Sequence, residues 1–106
     1  MKTSISYISK NYESLSSKEI ILQGWIKTNR NQKEFGFINF NDGSNVGGVQ
    51  IVYDKTLNSF DAISKFRVGC SLSVSGIIVV TPNAKQPFEI KATSITLLGD
   101  SPEDFP

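Results

Sequence analysis

Thr56-Leu57-Asn58-Ser59-Phe60-Asp61-Ala62-Ile63-Ser64-Lys65-Phe66 interrupts a sequence whose apolar residues otherwise alternate from Lys18 to Leu98. Leu57, Phe60, Ile63 and Phe66 recur every three residues, close to helical spacing. With Thr56 as N-cap and Gly69 as a terminator shortly beyond, the stretch predicts a short helix. Upstream lie three strand patterns. In the first, Glu19 to Asn29, Ile20, Leu22, Gly24 and Ile26 share one face, and Gln23, Trp25 and Lys27 share the other. Gly24 inside this strand predicts a bend or bulge there. Asn29 to Glu34 is polar and reads as a hairpin loop. Phe35 to Asn41 then sets Gly36, Ile38 and Phe40 against Phe35, Phe37, Asn39 and Asn41. After the turn signals Asp42-Gly43-Ser44-Asn45 and Gly47-Gly48, Val49, Ile51 and Tyr53 oppose Gln50 and Val52.

Downstream of the helix, Cys70 to Val80 sets Leu72, Val74 and Gly76 against Ser71, Ser73 and Ser75. A loop over Thr81 to Pro87 leads into a fifth strand, from Phe88 to about Leu98. Ile5, Ile8 and Tyr12 predict a short N-terminal helix lying against the sheet. Five strands with a helix between the third and fourth is the order of the OB-fold, an all-β, five-stranded Greek-key barrel. An SH3-like barrel lacks a helix at that point, although the pattern also admits other antiparallel α+β arrangements. Residues 1–17 read as the N-terminal helix and lead-in and 18–98 as the barrel. The acidic, proline-punctuated 99–106 reads as the start of a hinge.

The 106 residues include no histidine and one cysteine, Cys70. The usual general base, zinc ligand and triad member are therefore absent, and neither an internal disulfide nor a cysteine cluster can form. No Walker-type phosphate loop is present, since Gly43 to Gly48 lacks the following Lys-Ser/Thr. No pair of carboxylates is spaced as acid and base. The sequence thus predicts no catalytic residue and no metal site. The first residues lack the apolar run of a secretory signal, and no segment reaches membrane-spanning length. With a single thiol as well, a cytoplasmic protein is expected.

Lys and Arg number 11 against 10 Asp and Glu, a net charge of +1. Nucleic acid held by bulk charge calls for a far more basic domain, so any such binding must use aimed side chains. Ile38 and Phe40 already supply the core face of the second strand, which leaves Phe35 and Phe37 on its polar face beside Asn39 and Asn41. Stacked bases would cover such rings, and by its place at the strand's start Phe35 equally suits packing. Gln50 faces the same way with a donor and an acceptor, and Arg30 offers a planar fork for phosphate or a base edge. Together they point to single-stranded RNA or DNA. A general single-strand DNA-binding module and a protein-interaction barrel remain the alternatives from other classes.

Gly24-Trp25-Ile26, Arg30, Phe37, Asp42-Gly43-Ser44 and Val49-Gln50, in this order, resemble the anticodon-binding domain of class II aminoacyl-tRNA synthetases. The subgroup is that of the aspartyl, asparaginyl and lysyl enzymes. Asn41-Asp42-Gly43-Ser44, Pro87-Phe88-Glu89-Ile90-Lys91-Ala92 and Glu103-Asp104-Phe105-Pro106 are most similar to the asparaginyl type. The resemblance implies recognition of a tRNA anticodon loop, that of the asparagine tRNA, with a uridine in the middle. It sets Phe37 against that uridine, Gln50 and Arg30 at its edge or backbone, and Glu89 near the first anticodon base. Phe35, Asn39 and Asn41 are further contact candidates. On the residues alone, Glu89 would instead be a solvated partner of Lys91 or Lys85. Asn29 stands where the family frequently carries an arginine for phosphate. The resemblance further implies that a class II catalytic domain follows, binding ATP and Mg and acting as a homodimer. This fragment by itself is then inactive and binds no cofactor.

Overall fold

A computed structural model of the chain describes residues 2–45, 47–82 and 86–99. Helix α1 (Ile5–Leu15) precedes strands β1 (Glu19–Asn31), β2 (Phe35–Asn41) and β3 (Val49–Asp54). Helix α2 (Phe60–Ile63) follows, then β4 (Ser71–Val80) and β5 (Phe88–Gly99). The strands close into a barrel in the order β1-β2-β3-β5-β4. All neighbours are antiparallel except β3 and β5, which meet through Ile51↔Ile90 and Val52↔Lys91. This is the five-stranded OB barrel with a helix between the third and fourth strands that the alternation predicts. Its interior is filled by the expected faces, among them Ile20, Leu22, Ile26, Ile38, Phe40, Ile51, Leu72 and Val74, all fully buried.

Gly24 does not bulge. It lies where β1 passes close to the end of β2, and a Cβ there would stand 2.2 Å from the Asn41 carbonyl oxygen. The bulge comes three residues later. Ile26 pairs with Phe40 and Thr28 with Asn39, so Lys27 is the extra residue. Strict alternation from Ile20 would carry Thr28 and Arg30 into the core. The inserted residue reverses the phase, turning Thr28 and Arg30 outward and Asn29 inward. The strand also runs on to Asn31, because Arg30↔Phe37 and Asn31↔Gly36 continue the ladder. Only residues 32–34 connect the hairpin.

The helix between β3 and β4 is shorter than its spacing suggests. Thr56 is not its cap: its backbone N–H (2.9 Å) and its hydroxyl both donate to Asp54 Oδ1, folding an Asx turn at the end of β3. Turn bonds Leu57 N–H to Asp54 O and Phe60 N–H to Leu57 O follow, before one α-helical turn starting after Ser59. A period of three suits such consecutive i→i+3 turns better than the 3.6 of an α-helix. The apolar residues still face the barrel: Ile63 is fully buried, and Leu57, Phe60 and Phe66 pack against the core. Nor does Gly69 end this helix. It lies in the turn from Arg67 to Cys70, and its N–H bonds Ile26 O at 2.9 Å.

Asn29 fastens this segment to the barrel. Its amide nitrogen donates to the carbonyls of Ile63 (2.9 Å) and Phe66 (3.1 Å), and its Oδ1 accepts from the Tyr53 hydroxyl at 2.8 Å. Tyr53 is itself buried, and this burial raises its pKa above 10.0 despite hydrogen bonds with Asn31 and Asn29 that act the other way.

Helix α1 lies against the barrel with Ile5 and Ile8 fully buried, each contributing roughly 1.5–3 kcal/mol of apolar burial. Tyr12 stacks on Phe88, with ring centroids 5.4 Å apart. The start of α1 is capped by three side chains. Ser4 Oγ accepts from Tyr7 N–H at 3.2 Å, while Asp42 Oδ2 accepts from Ile5 N–H and Ser44 Oγ from Ser6 N–H, both at 2.9 Å. Burial raises the Asp42 pKa, but the hydrogen bonds from Ser44 and Ile5 outweigh it and the net shift is downward. The Asp42-Gly43-Ser44 turn therefore joins the β2–β3 connection to the N-terminal helix. Of the segment 99–106 read as a hinge, residues 100–106 lie outside the described residues, and so do the motif Glu103-Asp104-Phe105-Pro106 and Lys85.

Candidate nucleic-acid interface

The outer face of β1, β2 and β3 is laid out in rows fixed by the strand register. One row runs Thr28–Asn39–Gln50 and the next Arg30–Phe37–Val52–Lys91, the last partner on β5. Directly opposed Cβ atoms in antiparallel rows lie roughly 4.5–5.5 Å apart, so neighbouring side chains of a row are within reach of one ligand. Phe37, Asn39 and Gln50 are thereby brought together as the alternation of β2 and β3 predicts, and Arg30 joins them from β1. Arg30 arrives from the strand rather than from a loop, through the bulge at Lys27.

These residues line one open depression of about 400 Å³, completed by Thr28 and by Gln86 of the β4–β5 connection. Phe37 is half-buried, leaving one flank open, and Phe35 stands beside it with ring centroids 5.3 Å apart at 82°. Phe35 is 42% exposed and packs edge-to-face with Phe37. Among the described residues the lining offers one aromatic platform, one guanidinium, three carboxamides and a hydroxyl, with no carboxylate among them. Carboxamides and hydroxyls both donate and accept, which suits base edges, and Arg30 adds a planar cation.

Asn41, Asn29 and Glu89 fall elsewhere. Asn41 breaks the alternation of β2: it is buried, its Oδ1 accepts from Gly43 N–H at 2.8 Å, and it shapes the turn instead of facing a ligand. Asn29, where the resemblance sets an arginine for phosphate, points inward to the α2 segment and holds no place on this face. Glu89 is half-buried on the outer side of β5 and does not line the depression. The pairing of Ile51 with Ile90 sets it beside Gln50 at the depression's border. Among the described residues Glu89 forms no ion pair, so Lys91 is not its salt-bridge partner.

Thr28 and Gln86 are additions that sequence reasoning did not supply. Thr28 depends on the bulge, for which Lys27 carries no local signal. Gln86 depends on how the β4–β5 connection folds over the barrel face. Among the described residues no three His, Cys, Asp or Glu side chains gather. No helix among the described residues is long and apolar enough to cross a membrane.

A five-stranded Greek-key barrel with an aromatic and amide-lined depression on its β2–β3 face defines an OB-fold domain of the oligonucleotide-binding kind. Residues 20–98 match the tRNA anti-codon family of OB-fold nucleic acid binding domains, and the chain belongs to that family. It is 48% identical to the asparagine–tRNA ligase of Acholeplasma laidlawii, over 100% of this chain and 23% of the relative. It is 50% identical to that of Clostridium beijerinckii, over 92% of this chain and 21% of the relative. The chain thus spans less than a quarter of the curated relatives it matches. The asparaginyl-tRNA synthetase from Pyrococcus horikoshii, solved with asparaginyl-adenylate, superposes with a TM-score of 0.81 at 23% identity. That superposition covers 97% of this chain and 23% of the other, and it shows a shared fold.

Proposed function

We propose that this domain is the anticodon-recognition module of an asparagine–tRNA ligase. It contributes to the choice of tRNA, while the remainder of the longer protein attaches asparagine with ATP and Mg. The observation that carries the reading is the row Arg30–Phe37–Val52 set beside Thr28–Asn39–Gln50: a stacking ring with amides and one guanidinium around it. Relatives 48% and 50% identical over nearly all of this chain, and named asparagine–tRNA ligases, support the choice of amino acid.

In this reading the middle uridine of the anticodon lies on Phe37, with Phe35 holding the ring in place from the side. Gln50 meets the edge of that base, and Arg30 reaches the edge or the adjacent phosphate. Glu89, at the border, accepts hydrogen bonds from the first anticodon base, and Asn39 contributes from the row between. Asn41 has no part in it. Residues 1–17 and 18–98 act as one binding unit and 99–106 begins the hinge to a catalytic domain. The parent enzyme is a cytoplasmic homodimer.

Titrating the domain with the asparagine anticodon stem-loop and with stem-loops altered at the middle base tests the proposal. The unaltered loop should bind best, and Gln50→Ala should reduce discrimination at the middle base more than overall affinity. Equal affinity for every stem-loop, or for unrelated single strands, would contradict it.

A further inference from the structure

Seven large apolar side chains are exposed among the described residues. Four of them, Trp25, Val68, Leu97 and Leu98, share the end of the barrel at which β5 finishes. Trp25, Ser71 and Gly99 form one row across β1, β4 and β5. Leu98 is the extra residue of a bulge, since Ser71 pairs with Gly99 and Leu72 with Leu97. Trp25 and Leu98 thus flank the small Ser71, and they are 38% and 55% exposed. Val68, 48% exposed, adjoins Lys27, because Gly69 N–H bonds Ile26 O at 2.9 Å. Contiguous exposed apolar surface of this kind marks a contact. We infer that this patch seats the chain's own residues 100–106, with Phe105 packed on Trp25 and Leu98, and Glu103 and Asp104 beside Lys27.

Three features single out this occupant. The first is attachment. The segment starts from Gly99, inside the row, and Trp25 lies two strand spacings away, about 10 Å. Six extended residues span up to about 20 Å, so Phe105 can turn back and still reach the ring. A tether this short holds the segment at an effective concentration of about a millimolar, which a second copy or a separate partner must exceed. The second is order. Antiparallel to β4, the line of β5 runs on past Ser71 toward Val68 and Lys27. Asp100-Ser101-Pro102 is a turn sequence. A chain returning from that turn passes Lys27 before Trp25, and residues 103–105 present their acids first and their ring second. The third is charge. Residues 100–106 hold three acids and no base. Lys27 is exposed at the patch and forms no ion pair among the described residues. Opposite charges set the register of a contact whose rings supply the burial. Docking fixes the direction in which the chain leaves the barrel.

Trp25 is the only tryptophan of the 106-residue chain, so its fluorescence reads the contact. Phe105→Ala, or truncation after Gly99, should shift its emission to longer wavelength and raise its acrylamide quenching constant about twofold. Circular dichroism should show the barrel unchanged in both. Lys27→Glu should release the ring in part, and adding Glu103→Lys and Asp104→Lys should restore its protection. Unchanged Trp25 fluorescence in both Phe105→Ala and the truncated chain overturns the inference. So does protection that survives truncation and grows with protein concentration, which assigns the patch to a second copy instead.

Discussion

Replacing Asn29 by alanine removes three hydrogen bonds at one stroke. The carbonyls of Ile63 and Phe66 lose their donor, and the Tyr53 hydroxyl loses its acceptor. None of these groups gains a substitute from a methyl side chain. Leaving a buried polar group unpaired costs about 1–3 kcal/mol, and the site is only partly buried, so the low end applies. The Ile63 carbonyl keeps its bond from Phe66 N–H at 3.1 Å, which leaves the Phe66 carbonyl and the Tyr53 hydroxyl to bear the cost. The sum is about 2 kcal/mol, a large share of the roughly 5–15 kcal/mol that holds a domain of this kind together. At about 4 °C per kcal/mol for this length, the melting temperature should fall by about 8 °C. Thermal unfolding followed by circular dichroism, with urea titration alongside, reads it directly. Asn29→Arg should be at least as destabilising and should leave the RNA affinity of the folded fraction unchanged, because the position faces inward. An Asn29→Ala variant melting within about 3 °C of the parent would refute the reasoning, since the three bonds would then carry almost nothing. Stronger RNA binding by Asn29→Arg would refute the inward placement.

Asp42→Ala should destabilise the domain by about 1–2 kcal/mol, the range of a lost helix cap, and amide exchange should rise first at Ile5 and Ser6. Because the folded Asp42 pKa lies below 3.8, this contribution is complete above that value and fades as pH falls through the folded one. The stability gap between parent and variant should therefore narrow in acid. Gly24→Ala forces a Cβ onto the Asn41 backbone carbonyl, and a loss of about 3 kcal/mol or failure to fold is expected in urea titrations. Tyr53→Phe should flatten the alkaline arm of the stability profile. The raised Tyr53 pKa means its stabilisation is intact below pH 10.0 and is lost as pH rises through the folded value.

The barrel was legible because its strands are half-buried, and a period of two survives any ordinary variation in the polar face. The same reasoning reached Phe37, Asn39 and Gln50, which lie within uninterrupted alternation. It failed where one residue changes the phase. Nothing about Lys27 announces a bulge, yet that bulge decides that Arg30 faces the depression and Asn29 the helix. Asn41 was misread for a related reason: at a strand end the turn chemistry, here its bond from Gly43, takes over from the pleat. Thr56 looked like a helix cap because Thr and Ser serve both caps and turns, and Asp54 two residues before it claims it for a turn. The role of Asp42 in capping α1 and the position of Gln86 over the barrel face join residues far apart in sequence, and no local pattern encodes such contacts.

The most direct measurement is the affinity of the asparagine anticodon stem-loop for the parent domain, Phe37→Ala and Phe37→Tyr, at one fixed salt concentration. Base stacking is worth roughly 1–3 kcal/mol per base, so alanine should weaken binding by about five- to more than a hundredfold. Tyrosine, which keeps the ring, should bind nearly as the parent does. Parent-like affinity in a folded Phe37→Ala variant would contradict the claim that this face of the barrel reads the anticodon.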